Sequence, residues 1–354
     1  MKTNAILAGT LAALVFANGA RGQDPFVPGN IFVAGVIGEG CSFDGDSIII
    51  ELDPIIGPVN TLATSQNGLC DVSGLRFTPA GDRLLALNVG RILPPVDPGF
   101  VLSIGTDEIG TVVFDGSDGI SRPFGANGLA FDAGGDLYVV NTGNNTILRI
   151  PAEGGPGTVF ADFNDGVFDR GALDFAPNGD LFYCGDLAGA VIRISPEGES
   201  SVFDDTVLFP SSLVFDLHGN LFVVGASLEG RTIYRYEGGD PNSRSVLANG
   251  FLGVSGIPSP LAVSPDGSEV YLFEIPGIVY AIDAEDGTTR VIGDLSKTYN
   301  LLAPTGITVY APPPPIPVAS TWGLAVMGLM LITAATVVLT RKQVRRVNVQ
   351  FDET

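Results

Sequence analysis

The chain is poor in histidine, cysteine and positive charge, and each shortage removes a class of function. A single histidine, His218, stands in 354 residues, inside the turn-like stretch DLHGN. Serine, cysteine or zinc chemistry that needs imidazole has no second ring to draw on. Three cysteines occur, Cys41, Cys70 and Cys184; an odd number permits one disulfide and one thiol, and spacing does not choose the pair. Basic residues number 18 against 39 acidic ones. Setting aside the cations and acids at the two ends leaves 12 basic and 37 acidic residues between 23 and 340, a net charge of −25. Such a surface repels nucleic acid and anionic lipid heads, and it tolerates or gathers divalent cations. Long amphipathic helical patterns are also missing.

What is present is 47 glycines and 25 prolines between many short apolar runs, the composition of an all-β protein with tight turns. Six versions of one phrase follow each other: PGNIFVAG, AGDRLLALN, GGDLYVVN, NGDLFYCG, HGNLFVVG and DGSEVYLF. Their turn glycines fall at 29, 81, 135, 179, 219 and 267, intervals of the size of a propeller blade. A hairpin turn of this kind needs φ > 0, which glycine adopts without strain. Around each turn lie an apolar strand before, one after, and two more, as in GLAF, LYVVN, TILRI and TVF. The runs are continuous rather than alternating because stacked blades bury both sheet faces. The first copy lacks its opening strand, and GITVY at Gly306 to Tyr310 supplies it. The expected fold is an all-β, six-bladed β-propeller over residues 23–311, closed by a late C-terminal strand, with a two-sheet sandwich as the competing fold.

The ends carry addresses. Residues 1–22 have one lysine, an apolar run and small residues before Gln23, which predicts a secretory signal peptide. Residues 323–340 are 18 uncharged residues, enough to span a bilayer as a helix, and the basic tail 341–354 places the C-terminus in the cytoplasm. Residues 312–322 make a proline-rich spacer. A plain single-span anchor is one reading of this tail.

The phrase NGLAFDAGGDLYVVNTGNNTILRI resembles the NHL repeat and the six-bladed, calcium-dependent lactonase family called SMP-30 or gluconolactonase-like. That resemblance implies a metal held at the channel mouth, with Asn127 as a ligand and Asn141 facing the same cavity. The family's Glu at the closing strand is replaced by Pro304 and Thr305. The C-terminal stretch, with Ile316, Pro317, Trp322, Gly323, Arg341 and Lys342, resembles the PEP-CTERM and IPTL-CTERM sorting signals of Gram-negative bacteria. It implies a membrane protease of the exosortase type as a partner.

In a propeller, the loops joining second to third strands and blade to blade share the ligand face. Cys41 and Cys70 both lie in such loops around blade one, so a disulfide between them is geometrically reasonable and would contribute about 3–4 kcal/mol. Cys184 reads as a buried small hydrophobe. Mouth-side carboxylates include Asp44, Asp46, Asp71, Asp115, Asp118, Asp165, Asp169, Asp186, Asp204 and Asp205, oxygen donors of the kind Ca²⁺ accepts. Of these, Asp165 and Asp169 join Asn127 as the candidate metal set, and Asp186 joins Asn127 and Asn141 as the candidate ligand set. Arg76 and Asp174 break the small or apolar pattern of the innermost strands; both could line the central channel, and a structural salt link or a solvated channel is the expected reading. No complete catalytic set emerges. The first functional expectation is an exported, surface-sorted binding module of unknown surface ligand; the alternative is a Ca²⁺-dependent lactonase-like hydrolase.

Overall fold

The structure, a computed structural model, describes residues 26–37, 46–89, 98–106, 108–121, 128–163, 171–185, 189–228, 230–253, 259–299 and 301–313, with Asp46 and Leu302 described for backbone alone. The chain divides into a unit at Met1–Pro312 and a second at Pro313–Thr354. The segments expected as signal peptide, sorting motif, membrane span and basic tail lie outside the described residues. Among the described residues no helix is long and apolar enough to cross a membrane.

Within the first unit the described strands form six antiparallel four-stranded sheets. Blade one runs, from the inside out, Leu301–Val309, Ile31–Ile37, Asp46–Asp53 and Gly57–Thr64. The late strand therefore closes the ring. It pairs Ile307 with Val33 and Val309 with Ile31, and Tyr310 N donates to Asn30 O at 2.9 Å while Gly29 N donates to Tyr310 O at 2.9 Å. Blades two to six begin on the inside with Val72–Phe77, Leu129–Phe131, Gly171–Phe175, Leu208–Phe215 and Leu261–Val263.

The continuous apolar runs are explained by who they touch. In the second strand of blade two, Leu84–Asn88, Leu84 and Ala86 enter the cluster shared with blade one, whereas Leu85 and Leu87 enter the cluster shared with blade three. Blade one repeats this: Phe32 and Ala34 face blade two, and Ile31 and Val33 face blade six. Alternate residues of one strand thus stabilise two different neighbours, so no blade is a free-standing core.

All six turn glycines have positive φ, from 71° at Gly81 to 90° at Gly135 and Gly179. Aspartates complete these turns. Asp132 Oδ1 accepts from Gly134 N and Asp136 N at 2.8 and 2.9 Å, and Asp216 Oδ1 accepts from His218 N and Asn220 N at 2.8 Å each. The same bond to the amide two residues on recurs at Asp53, Asp115, Asp204, Asp240, Asp266, Asp283, Asp286 and Asp294. Much of the acidic excess is turn chemistry of this kind.

Candidate functional site at the channel mouth

Each innermost strand starts on the face opposite the glycine turns. Leu75, Leu129, Leu173, Leu213, Leu261 and Ile307 share one register position against the second strand. The residues two before them open the mouth. Those described are Ser73, Gly171, Ser211, Ser259 and Thr305; the blade-three residue at this place, Asn127, lies outside the described residues, as do Cys41, Asp165, Asp169 and Asp186. Three of these hydroxyl residues are buried, Ser73, Ser211 and Ser259. Thr305 Oγ1 donates to Ala34 O at 3.1 Å.

The second strands end at the same height. Asn88, Asn141 and Glu274 hold equivalent positions there and are all buried. Asn141 Oδ1 accepts from Ser121 N at 2.8 Å and its Nδ2 donates to Gly119 O at 3.0 Å. Asn88 Oδ1 accepts from Cys70 N at 2.7 Å and its Nδ2 donates to Ala86 O at 2.9 Å. The two amides fasten matching blade-to-blade connections. In one, Thr64 and Asn67 close a capping box ending at Gly68; in the other, Asp115 and Asp118 do the same before Gly119. Asp115 and Asp118 are thereby engaged in their own turn, and its hydrogen bonds from Ser117 hold the Asp115 carboxyl below the usual carboxylate range. Half-buried Cys70 lies in the first of these connections, and Cys184 is buried at 0% exposure in the second strand of blade four.

Glu274 differs from its two asparagine counterparts. It is 1% exposed; Oε1 accepts from Ser259 Oγ at 3.1 Å and from Ile275 N at 3.2 Å, and Oε2 has no partner among the described residues. Burial pushes its carboxyl up to about 7, and the charge of Arg231 and the two hydrogen bonds pull the other way. Sequence reasoning missed this residue and Arg231. The signal was a polar residue closing the second strand, as Asn88 and Asn141 do.

Ca²⁺ takes six to eight oxygens, commonly with several carboxylates. The described ends of the innermost and second strands offer hydroxyls, the amides of Asn88 and Asn141 and the Glu274 carboxyl, which burial raises, and among the described residues no three of His, Cys, Asp and Glu cluster. The candidate metal set itself, Asn127, Asp165 and Asp169, lies outside the described residues.

Deeper in the channel, Arg76 of blade two reaches Asp174 of blade four at 2.5 Å. The register neighbour between them in blade three is Ala130, small enough to be crossed. Asp174 Oδ2 also accepts from Phe215 N of blade five at 2.8 Å. The two polar intruders of the innermost strands are therefore one ion pair tying three blades. On the turn face, a groove of about 450 Å³ between blades four and five is lined by Phe182, Phe203, Phe215, the Asp180–Arg193 pair and His218. The sole histidine lies there, away from the mouth.

No protein-family model matches the chain, and no curated protein matches it. Among solved structures the chain is similar to a chain of a nidogen/laminin complex, with TM-score 0.57, 14% identity and coverage of 80% of this chain and 99% of that one. It is similar to TolB from Acinetobacter baumannii, with TM-score 0.57, 12% identity and coverage of 86% and 72%. A gluconolactonase from Xanthomonas campestris aligns with TM-score 0.49, 18% identity and coverage of 77% and 88%. At these identities the first two show the propeller fold and nothing finer.

Proposed function

We propose that the chain is an exported binding module: a signal peptide at 1–22, a propeller at 23–311, a proline-rich spacer and sorting motif at 312–322, a membrane span at 323–340 and a cytoplasmic tail at 341–354. The observation that carries the binding reading is the chemistry of the mouth. Where a metal-dependent hydrolase needs converging carboxylates, the described positions hold Ser73, Gly171, Ser211, Ser259 and Thr305. Hydroxyls recognise polar ligands but do not activate water without a base or a metal. The alternative lactonase-like reading rests on Asn127, Asp165 and Asp169.

Calorimetric titration of the full chain with Ca²⁺, beside Asn127→Ala, separates the two. The binding module takes up no Ca²⁺ at the mouth and opens no sugar lactone. A saturable site weakened by Asn127→Ala, together with lactone turnover, overturns it. Membrane fractionation before and after deletion of residues 312–354 tests export: the full chain is expected with the membrane and the deleted form in the periplasm or medium.

A further inference from the structure

Two neighbouring blade interfaces are built alike, and one lacks groups that complete the other. Between blades three and four, Tyr138 packs edge-on against Phe160 and Phe175, with ring centroids 4.9 Å apart in each pair. Between blades four and five, Phe182 does the same with Phe203 and Phe215 at 5.1 and 4.9 Å. Each interface also carries an ion pair, Asp136–Arg149 in the first and Asp180–Arg193 in the second. In the first, the fold supplies the partners: Tyr138 Oη donates to Asp132 Oδ2 at 3.5 Å, and Asp136 Oδ1 accepts from Ala152 N at 2.9 Å.

In the second, three of these groups are gone. Ala176 stands in the place of Asp132, Phe182 in that of Tyr138, and Pro196, which has no N–H, in that of Ala152. Asn178 Nδ2, Arg193 Nε and Arg193 Nη2 converge on Asp180 Oδ2 at 2.7, 2.7 and 2.6 Å, and among the described residues nothing donates to Oδ1. The Asp180 side chain is 6% exposed, and a buried acceptor left open calls for a donor from outside the fold. The same exchanges border a space. The groove of about 450 Å³ on the turn face is lined by Ala176, Asp180, Phe182, Arg193, Phe203 and Phe215, and its size suits a small molecule. Phe203 and Phe215 are half-buried and give it an apolar wall, while the Arg193 side chain, 51% exposed, sets a donor beside the Asp180 acceptor.

We propose that this groove binds a neutral pyranose, its C–H face against Phe203 and Phe215, one hydroxyl donating to Asp180 Oδ1 and a neighbouring one accepting from the Arg193 guanidinium. The site lies on the face opposite the mouth, so it goes beyond the reading of the mouth and holds whether that mouth binds or hydrolyses. Other ligand classes fail on chemistry. An anion meets the open Asp180 oxygen, an ammonium group or a metal ion lies against the Arg193 charge, and a hydrocarbon leaves Oδ1 unmet. Adjacent hydroxyls serve both as donor and as acceptor at that short spacing, and the ring's apolar face covers the phenyl rings.

The test is saturation-transfer NMR of the full-length chain, in a detergent without a sugar head group, against a panel of uncharged mono- and disaccharides and, separately, of uncharged tripeptides. At least one pyranose is expected to bind saturably. The double variant Ala176→Asp, Phe182→Tyr copies the Asp132–Tyr138 pair into the groove and fills it; it should weaken binding about 10-fold or more with little change in melting temperature. Arg193→Met, at a half-exposed position, should weaken it by a similar factor and keeps the test in force where the double variant fails to fold. Binding of no pyranose, binding unchanged in Arg193→Met and in a folded double variant, or binding of tripeptides alone overturns the proposal. Pyranose binding that survives Arg193→Met but is lost in Ser211→Ala puts the ligand at the mouth, which overturns the groove and leaves the binding-module reading standing. Lactone turnover by the same preparation overturns that reading and leaves the groove untouched.

Discussion

The ion pair across the channel gives the sharpest test of how the ring is held. Arg76→Met keeps most of the side-chain length and removes the charge, leaving Asp174, whose side chain is 6% exposed, with Phe215 N as its remaining partner. Breaking a buried pair from one side costs about 3–5 kcal/mol. The Arg76 side chain is 31% exposed, so solvent reaches part of the link, and about 2–3 kcal/mol is the expected loss. At roughly 2 °C per kcal/mol for a domain of this size, the melting midpoint should fall by about 4–6 °C. Asp174→Asn should cost less, about 1 kcal/mol, because the orphaned guanidinium can still reach water. The double variant Arg76→Met, Asp174→Asn should recover more than half of the loss seen in Arg76→Met. Urea and thermal melts of the four proteins at pH 7 complete the cycle. A loss below about 0.5 kcal/mol in Arg76→Met, or strict additivity in the double variant, would refute the claim that this pair ties blades two, four and five.

Three further outcomes are expected. The Glu274 carboxyl is raised from 4.5 to about 7 in the folded protein, so the native state keeps a proton that the unfolded chain releases. Its contribution to stability is therefore full below about pH 4.5 and lost as pH rises to about 7; Glu274→Gln should flatten the urea midpoint over this range and exceed the wild type at pH 8 by up to about 3 kcal/mol. Asn141→Ala strands Ser121 N and Gly119 O at the blade-two to blade-three connection, and denaturant melts should show a loss of about 2 kcal/mol. Gly179→Ala meets nothing within 4 Å but must hold φ at +90°, so a loss of about 1–2 kcal/mol should come from backbone strain alone.

The blades could be read from the sequence because their signals are local. A glycine turn and apolar runs of one strand's length repeat at a near-constant interval, and Phe32 and Ile31 are apolar alike since each faces a different neighbour. The Arg76–Asp174 link was legible as two exceptions in one register, although its span over Ala130 was not. Aspartates misled in part: Asp115, Asp118 and Asp204, read as mouth carboxylates, cap their own turns, and Asp204 also accepts from Tyr236 Oη at 2.8 Å. Glu274 was illegible for the opposite reason. Its partner Ser259 is 15 residues away, and the Arg231 charge comes from another blade. A carboxylate's surroundings depend on which strands the ring brings together, and no spacing along the chain records that.

The late closing strand also decides how the molecule bears load. Leu301–Val309 runs from the mouth to the turn face, so the chain leaves at Tyr310 on the face opposite the mouth, beside Gly29 and Asn30. If the tail is anchored as proposed and a ligand at the mouth is pulled, tension runs lengthwise along this strand. Its hydrogen bonds to Ile31–Ile37 then share the pull in shear and must fail together instead of peeling one at a time. The seam that shuts the ring is placed to act as a mechanical clasp.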